Sequence, residues 1–271
     1  MTTNDASFAG SIPALYDRYL GPLIFEPYAA DLARRLAALK PKRVLETAAG
    51  TGIVTQALAR ALPNAEIVAT DLNQPMLDFA AAKIKSPRII WRQADATKLP
   101  FDDKSFDAVV CQFGVMFFPD KGLAYREARR VLERHILKPN GRFVFNVWDR
   151  IEENEITHIV TQALAKLFPA DPPLFMKRTP HGYHDVDKIK GELVDAGFRR
   201  VAVETVAYRS RAPSARDAVV GFCEGTPLRA EIEARGDLAA ATQAATETVA
   251  ARFGTGPIDA KIQAHVITAT A

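Results

Sequence analysis

Between Lys42 and Trp148 the chain alternates short apolar runs with stretches whose apolar residues recur at helical spacing. Arg43–Thr47, Glu66–Thr70, Arg88–Trp91, Phe106–Gln112 and Arg142–Trp148 are short, rich in β-branched or aromatic residues, and bounded by turn residues. That is the pattern of buried strands. Ile53–Leu62, Gln74–Lys85 and Lys121–His135 lie between them and are amphipathic. Pro63 stops the first, and Pro119 stands before the last as a first-turn proline. Strands joined through helices run parallel, and runs apolar at nearly every position need cover on both faces. The pattern predicts an α/β fold with a doubly wound, mostly parallel sheet.

The flanking regions are mostly helical. Residues 8–39 read as helix, with Leu32, Leu36 and Leu39 on one face, and Glu153–Phe168 is another amphipathic helix. Pro169–Asp185 is a proline-rich irregular loop, and Val186–Ala196 is a helix closed by Gly197. Arg200–Tyr208 alternates as a strand. Ser214 and Asp217 then form a capping box, Thr226 and Pro227 open a helix that stops near Gly236, and Asp237 caps an alanine-rich helix that stops at Gly254. Gln263–Thr270 reads as a last strand, expected to return to the core and pair beside Arg200–Tyr208. The expected organisation is an N-terminal helical lid (1–39), a core (40–150), a lid helix and loop leading back to a core strand (151–212), a helical insertion (213–258) and a final core strand (259–271).

Composition narrows the function. The 271 residues are 48% hydrophobic and 25% charged, enough for a substantial core without cross-links. The net charge of +3 is mild, and nucleic acid would normally want a clustered basic face, so no nucleic-acid partner is expected. No apolar run reaches the roughly 18 residues of a membrane span. Residues 1–7 lack the basic and apolar regions of a signal peptide, so the expectation is a soluble, cytoplasmic protein. Cys111 and Cys223 both sit in apolar segments, which excludes a disulfide framework and a cysteine zinc site.

The candidate chemistry gathers at the carboxyl ends of the strands. Val44–Gly52 is a strand running into a turn of small residues that opens a helix. Glycine at Gly50 and Gly52 lets a ligand approach the backbone, and the helix N-terminus favours an anionic group. Asp71 ends the second strand, placed to accept hydrogen bonds from both hydroxyls of a ribose. Asp95 and Ala96 follow the third strand, where an adenine amino group would be read, and Gln112 and Phe113 end the fourth. Open α/β sheets bind ligands along this edge.

Taken together these segments resemble the class I S-adenosylmethionine-dependent methyltransferases, of the broad small-molecule group typified by the ubiquinone/menaquinone-pathway enzymes. Glu46–Gly52 is similar to the family's E-x-G-x-G-x-G turn, Asp71 to its ribose-binding acid, and Asp95-Ala96 to its adenine-contacting pair. Phe101–Val109 resembles P-F-x-D-x-S-F-D-x-V, and Arg129–Leu132 with Lys138–Gly141 resembles R-V-L-K-P-G-G. The likeness covers roughly residues 40–150. Ala48 stands at the first glycine, Asn140 replaces another, and Glu133–Ile136 looks like an insertion.

The resemblance implies a seven-stranded, Rossmann-like sheet with helical lid insertions. It implies S-adenosylmethionine as methyl donor, S-adenosylhomocysteine as product, and in-line displacement onto a small apolar or aromatic acceptor. The donor site it implies comprises Tyr16, Glu46, Ala48, Ala49, Gly50, Thr51, Gly52, Asp71, Leu72, Met76, Asp95, Ala96, Gln112 and Phe113. Phe113, Val115, Met116, Phe117 and Phe118 read either as core or as acceptor-pocket wall, and Tyr16, Tyr19 and Phe25 either as packing or as cover over the cofactor. His181 and His184 are the candidates for a general base. No metal is expected from them. Asp171–Leu174 imitates the D-P-P-Y signature of nucleic-acid amino-methyltransferases, but it lies far from the fourth strand, where that signature belongs. Two other readings stay open: a non-catalytic module that binds the donor or its product, and a nicotinamide-dependent oxidoreductase. The second is weakened by Thr55 at the position where a third glycine or alanine is expected.

Overall fold

The protein is described here by a computed structural model covering residues 5, 8, 10–132 and 141–271. The segment 133–136 read as an insertion, positions 138–140 of the following motif and the end of the helix expected to reach His135 lie outside the described residues. Seven strands form one sheet: β1 (Arg43–Glu46), β2 (Glu66–Asp71), β3 (Ile89–Gln93), β4 (Ala108–Gln112), β5 (Arg142–Trp148), β6 (Arg200–Ala212) and β7 (Ile258–Thr270), in the order β3-β2-β1-β4-β5-β7-β6. The first five are parallel, while β7 runs antiparallel to both β5 and β6. The reversal of strand order between β1 and β4 opens a crevice at their carboxyl ends.

Side-chain alternation along the strands explains the two layers of helices. Val44, Ile67, Ala108, Val110 and Val144 face one way, against α2 (Glu26–Leu39) and α3 (Ile53–Ala61). Leu45, Val68, Val109, Phe143 and Phe145 face the other. There they belong to the same core as α5 (Lys121–Val131), α6 (Glu155–Leu167) and α8 (Val186–Asp195). Helix α4 (Gln74–Lys83) packs beside β2 and β3.

Four local expectations change. Residues 8–39 are not one uniform helix. A short α1 (Ile12–Leu15) leads into a wide, π-type helical segment, Tyr16–Phe25, and α2 restarts beside Pro27. Pro22 lies inside the π segment and has no N–H to donate to the ordinary helical ladder. Leu39 is exposed where Leu32 and Leu36 are fully buried, because α2 ends at Lys40 in a left-handed conformation. Pro119 lies outside α5, whose cap is Asp120, its carboxylate accepting the Leu123 N–H at 2.8 Å. Strands β6 and β7 run beyond the expected Arg200–Tyr208 and Gln263–Thr270, and along the added ladder Arg209 and Arg211 pair with Asp259.

The β6–β7 excursion holds α9 (Ala215–Glu224), α10 (Leu228–Glu233) and α11 (Leu238–Phe253). Its expected caps form, although Asp217 takes the Ser214 hydroxyl at 2.6 Å and not the Ser214 N–H, so the capping box is not reciprocal. Ser214 Oγ accepts the Asp217 N–H at 3.1 Å, and Asp237 accepts that of Ala240 at 2.7 Å. A four-residue helix, α7 (Phe175–Arg178), breaks the proline-rich loop. No helix among the described residues is long and apolar enough to cross a membrane.

Candidate active site

The turn after β1 is built by backbone conformation. Ala48, Gly50 and Gly52 all adopt positive φ, at 54°, 56° and 81°. The two glycines serve different ends. A Cβ at Gly50 would meet nothing within 4 Å, so its face is open toward the crevice. A Cβ at Gly52 would strike Ile84 Cδ1 at 2.7 Å, so that glycine lets α3 sit close to α4 and β3. Ala48 holds its left-handed conformation as a non-glycine residue, which costs on the order of 1–2 kcal/mol. Its Cβ occupies space left by Gly114, where an added Cβ would lie 2.4 Å away.

Asp71 closes the turn from β2. Its Oδ2 accepts the Gly50 N–H at 2.9 Å, and its Oδ1 accepts the Asn73 backbone N–H at 2.8 Å and side-chain Nδ2 at 3.3 Å. Burial raises its carboxyl above the usual range, while these N–H donors pull it back. A carboxylate offers about four lone-pair sites. The Leu72 backbone N–H bears on it too, so a ribose hydroxyl must share or displace one of these donors, of which the 3.3 Å Asn73 side-chain bond is the weakest.

A crevice of about 800 Å³, including its open mouth, runs along this edge. It is lined by Tyr16, Ala48, Gly50, Asp71, Leu72 and Met76, and by Asp95, Ala96, Gln112 and Phe113. These are ten of the fourteen expected donor-site residues. Leu72 is 56% exposed at this edge. Asp95 forms a tight turn, its Oδ1 accepting the Thr97 N–H and hydroxyl at 2.8 and 2.7 Å, which leaves Oδ2 outward. Gln112 Oε1 is buried and without a partner, a state that invites a donor from a ligand.

The other four do not line the crevice. Glu46 is buried behind it, accepting the Thr55 hydroxyl at 2.6 Å. Burial is the largest cause lifting its pKa to about 8, with nearby Asp71 adding to it. This bond also accounts for Thr55, which ties α3 to β1 rather than packing as a third glycine would. Ala49 N–H donates to Thr70 O at 2.9 Å, and Thr51 is fully buried. With Gly52 they shape the turn from within.

A second, smaller cavity adjoins the first. Phe8, Tyr16, Phe113 and Phe117 line both. The second is walled otherwise by Leu20, Ile24, Phe25 and Trp148, by Phe175, Met176 and His181 from the proline-rich loop, and by Phe222 of α9. Phe113 stacks on Trp148 at 3.7 Å, its N–H held by Asn146 Oδ1 at 2.9 Å. Val115 and Met116 are core, Phe118 borders only the first cavity, and Tyr19 borders neither. The two histidines separate as well. His181 is buried in the cavity wall, whereas His184 is exposed and its ring bonds the His181 carbonyl at 2.8 Å.

Sequence reasoning missed Asn73, Asn146, Trp148, Phe175 and Phe222. Only Asn146 carried a signal, as one amide inside the apolar run Phe143–Trp148. No group of three or more His, Cys, Asp or Glu among the described residues is placed to hold a metal ion.

The site's residues fit the adenosyl donor: an open backbone face at Gly50, the Asp71 carboxylate on the crevice edge, and an unpartnered amide oxygen on Gln112. Comparisons with known proteins agree. A methyltransferase-domain family model matches residues 45–145. The chain is 42% identical over 111 residues to the demethylmenaquinone methyltransferase of Thermotoga maritima, a match spanning 38% of this chain and 48% of that one. It is 31% identical over 173 residues to the enzyme of the same name from Lactobacillus johnsonii, spanning 59% of this chain and 68% of the relative. Among solved structures, the YcgJ protein of Bacillus subtilis superposes with a TM-score of 0.54 at 20% identity, covering 90% of this chain and 98% of that one. A likeness that distant speaks for the fold alone. With its sheet order, its turn and these relatives taken together, the chain belongs to the class I S-adenosylmethionine-dependent methyltransferases and resembles their ubiquinone/menaquinone type.

Proposed function

We propose that this chain moves a methyl group from S-adenosylmethionine to a small apolar or aromatic acceptor by in-line displacement. The observation that carries the reading is the shared wall. Two cavities, one edged by Asp71 and Gly50 and the other by aromatic and aliphatic side chains, meet at Phe8, Tyr16, Phe113 and Phe117. Bound in the first, the donor supplies an already activated methyl on a sulfonium sulfur, so no nucleophilic side chain is required.

The chain's own residues hold, align and dry the reactants. Asp71 and Gly50 position the ribose end, and Asp95 and Leu72 the adenine end. Tyr16, Phe25, Phe113 and Trp148 exclude water near the junction and present ring faces that favour a cation. Holding two reactants in line lowers a barrier by roughly 7–11 kcal/mol in the best cases. Residues 1–39, 150–185 and 213–258 act together as the lid, since Leu20, Phe175 and Phe222 all reach the second cavity. The names of the relatives support a quinone-type ring as acceptor.

A non-catalytic binding module is the second reading. An open acceptor-side cavity weighs against it, because a module without a second substrate has no need of one. Calorimetric titration with S-adenosylmethionine, S-adenosylhomocysteine and NADPH, followed by labelled-methyl transfer to aromatic acceptors, tests the proposal. Binding of the adenosyl ligands with transfer to a small molecule is expected. NADPH binding alone, or transfer only to protein or RNA, would overturn it.

A further inference from the structure

We propose that His181 positions the acceptor: its free Nε2, set in the wall of the apolar cavity, accepts a hydrogen bond from an O–H or N–H group on the molecule to be methylated. The proposal rests on the assignment of that cavity to the acceptor.

Two polar side chains of the wall, Asn154 and Thr226, are already engaged. Asn154 Oδ1 accepts the Gln263 N–H at 3.1 Å, and its Nδ2 donates to the Arg150 and Gln263 carbonyls. Thr226 donates to Phe222 O at 2.7 Å and accepts the Leu228 N–H at 3.2 Å. Neither has much left for a guest. His181 differs. Its Nδ1 lies 2.8 Å from the Asp149 carbonyl oxygen, which has only lone pairs. The proton must therefore sit on Nδ1, which fixes the tautomer and leaves Nε2 as a lone pair.

That carbonyl is itself held in place. The Asp149 N–H donates to Gln263 O, while its carboxylate accepts from Gln263 Nε2, pairs with His265 and takes the Arg150 N–H. Burial lowers the pKa of His181 to about 4, so the ring is neutral near pH 7 and Nε2 remains an acceptor. No protein group among the described residues donates to Nε2, and the atom keeps some exposed surface. Its lone pair reaches open space, and for a side chain this buried that space is the cavity it lines.

Most of the remaining wall is Phe, Leu, Ile and Met; Tyr16, Thr157 and Trp148 add groups that can donate, but none of them is bonded to Nε2. A wholly apolar guest would therefore strand Nε2, whereas a guest with a donor would satisfy it. The site thus selects an apolar ring or chain that carries one donor group at the His181 end.

The test uses the full chain saturated with S-adenosylhomocysteine, titrated calorimetrically with 1-naphthol and with 1-fluoronaphthalene, which has nearly the same shape and no donor. Wild type should bind the naphthol at least tenfold more tightly. His181→Phe should erase that preference while keeping its affinity for S-adenosylhomocysteine. His181→Gln, whose amide can donate to Asp149 O and still offer an oxygen, should recover most of it, which a merely structural histidine would not allow. Equal affinities in wild type, a preference that survives in His181→Phe, or no binding of either probe would overturn the proposal. Failure of wild type to bind S-adenosylhomocysteine at all would overturn the methyltransferase assignment beneath it.

Discussion

The two cavities that meet at Tyr16 and Phe113 are made in opposite ways. The donor-side crevice is edged mainly by backbone turns at the ends of adjacent parallel strands, and its key atoms are fixed within a few residues of β1, β2 and β4. The acceptor-side cavity is assembled from the π segment, the end of β5, the proline-rich loop and α9, regions far apart in the chain. One is a product of local conformation and the other of tertiary packing. They should fail differently.

The largest separation is expected at the two ends of the site. Asp71→Ala removes the carboxylate proposed to hold the ribose and its bond to Gly50 N–H, and should weaken S-adenosylhomocysteine binding on the order of 100-fold, as losing charged hydrogen bonds worth about 3 kcal/mol implies. Unchanged affinity by calorimetry would refute the ribose role. Phe222→Ala, by contrast, should leave that affinity within about twofold and shift acceptor preference toward bulkier molecules. A matching loss of donor affinity would show that the two cavities are not separable.

Acid and alkali should also distinguish them. Glu46, behind the donor turn, has a folded pKa near 8, well above its ordinary value. The native state holds that proton more tightly, so its stabilising contribution is full at low pH and is lost as pH rises from the ordinary carboxylate range through 8. At about 1.4 kcal/mol per pKa unit the loss is on the order of several kcal/mol. His181, on the acceptor side, is lowered to about 4, so its contribution is full above the ordinary histidine range and is lost as pH falls through 4. Denaturant melts from pH 4 to 9 should show Glu46→Gln flattening the alkaline arm and His181→Gln the acid arm. An effect on the same arm from both variants would contradict these assignments.

A smaller effect tests the packing of the donor turn. Gly114→Ala would bring two Cβ atoms to 2.4 Å at Ala48 and press Cys111 Sγ at 2.7 Å, costing about 1–3 kcal/mol. In an Ala48→Gly background the cost should fall by about 1 kcal/mol, with only the cysteine contact left. Additive effects in a double-mutant cycle would mean the two positions do not compensate each other.

The same contrast governs what could be read from sequence. The sheet, its helices, Asp71, Gly50 and the Asp95 turn were legible because each depends on residues adjacent in the chain or on a strand's periodicity. The different duties of Gly50 and Gly52 were not, since only the neighbours Ile84, Ala80 and Trp91 reveal that Gly52 is there for packing. Glu46 matched the family turn, yet its place behind the crevice depends on a hydroxyl nine residues on. Phe175 and Phe222 had no signal at all, because an aromatic in a loop or amphipathic helix looks the same whether it fills a core or walls a cavity. His181 and His184 were indistinguishable by spacing and were separated only by burial.

The placement of β7 has a consequence for how the molecule is made. Synthesis proceeds from the amino end, and β5 emerges long before the strand it needs, since Trp148 pairs with Ala264. Strand β6 waits as well, for Ala212 pairs with Ile258 only after α9, α10 and α11 have been added. Until then β5, the run Arg142–Trp148 with its phenylalanines and tryptophan, has an unpaired edge open to any other extended chain. The nascent protein is therefore most exposed to misassembly in the interval between residue 148 and residues 264–270, when slowed elongation or a missing chaperone would do most harm.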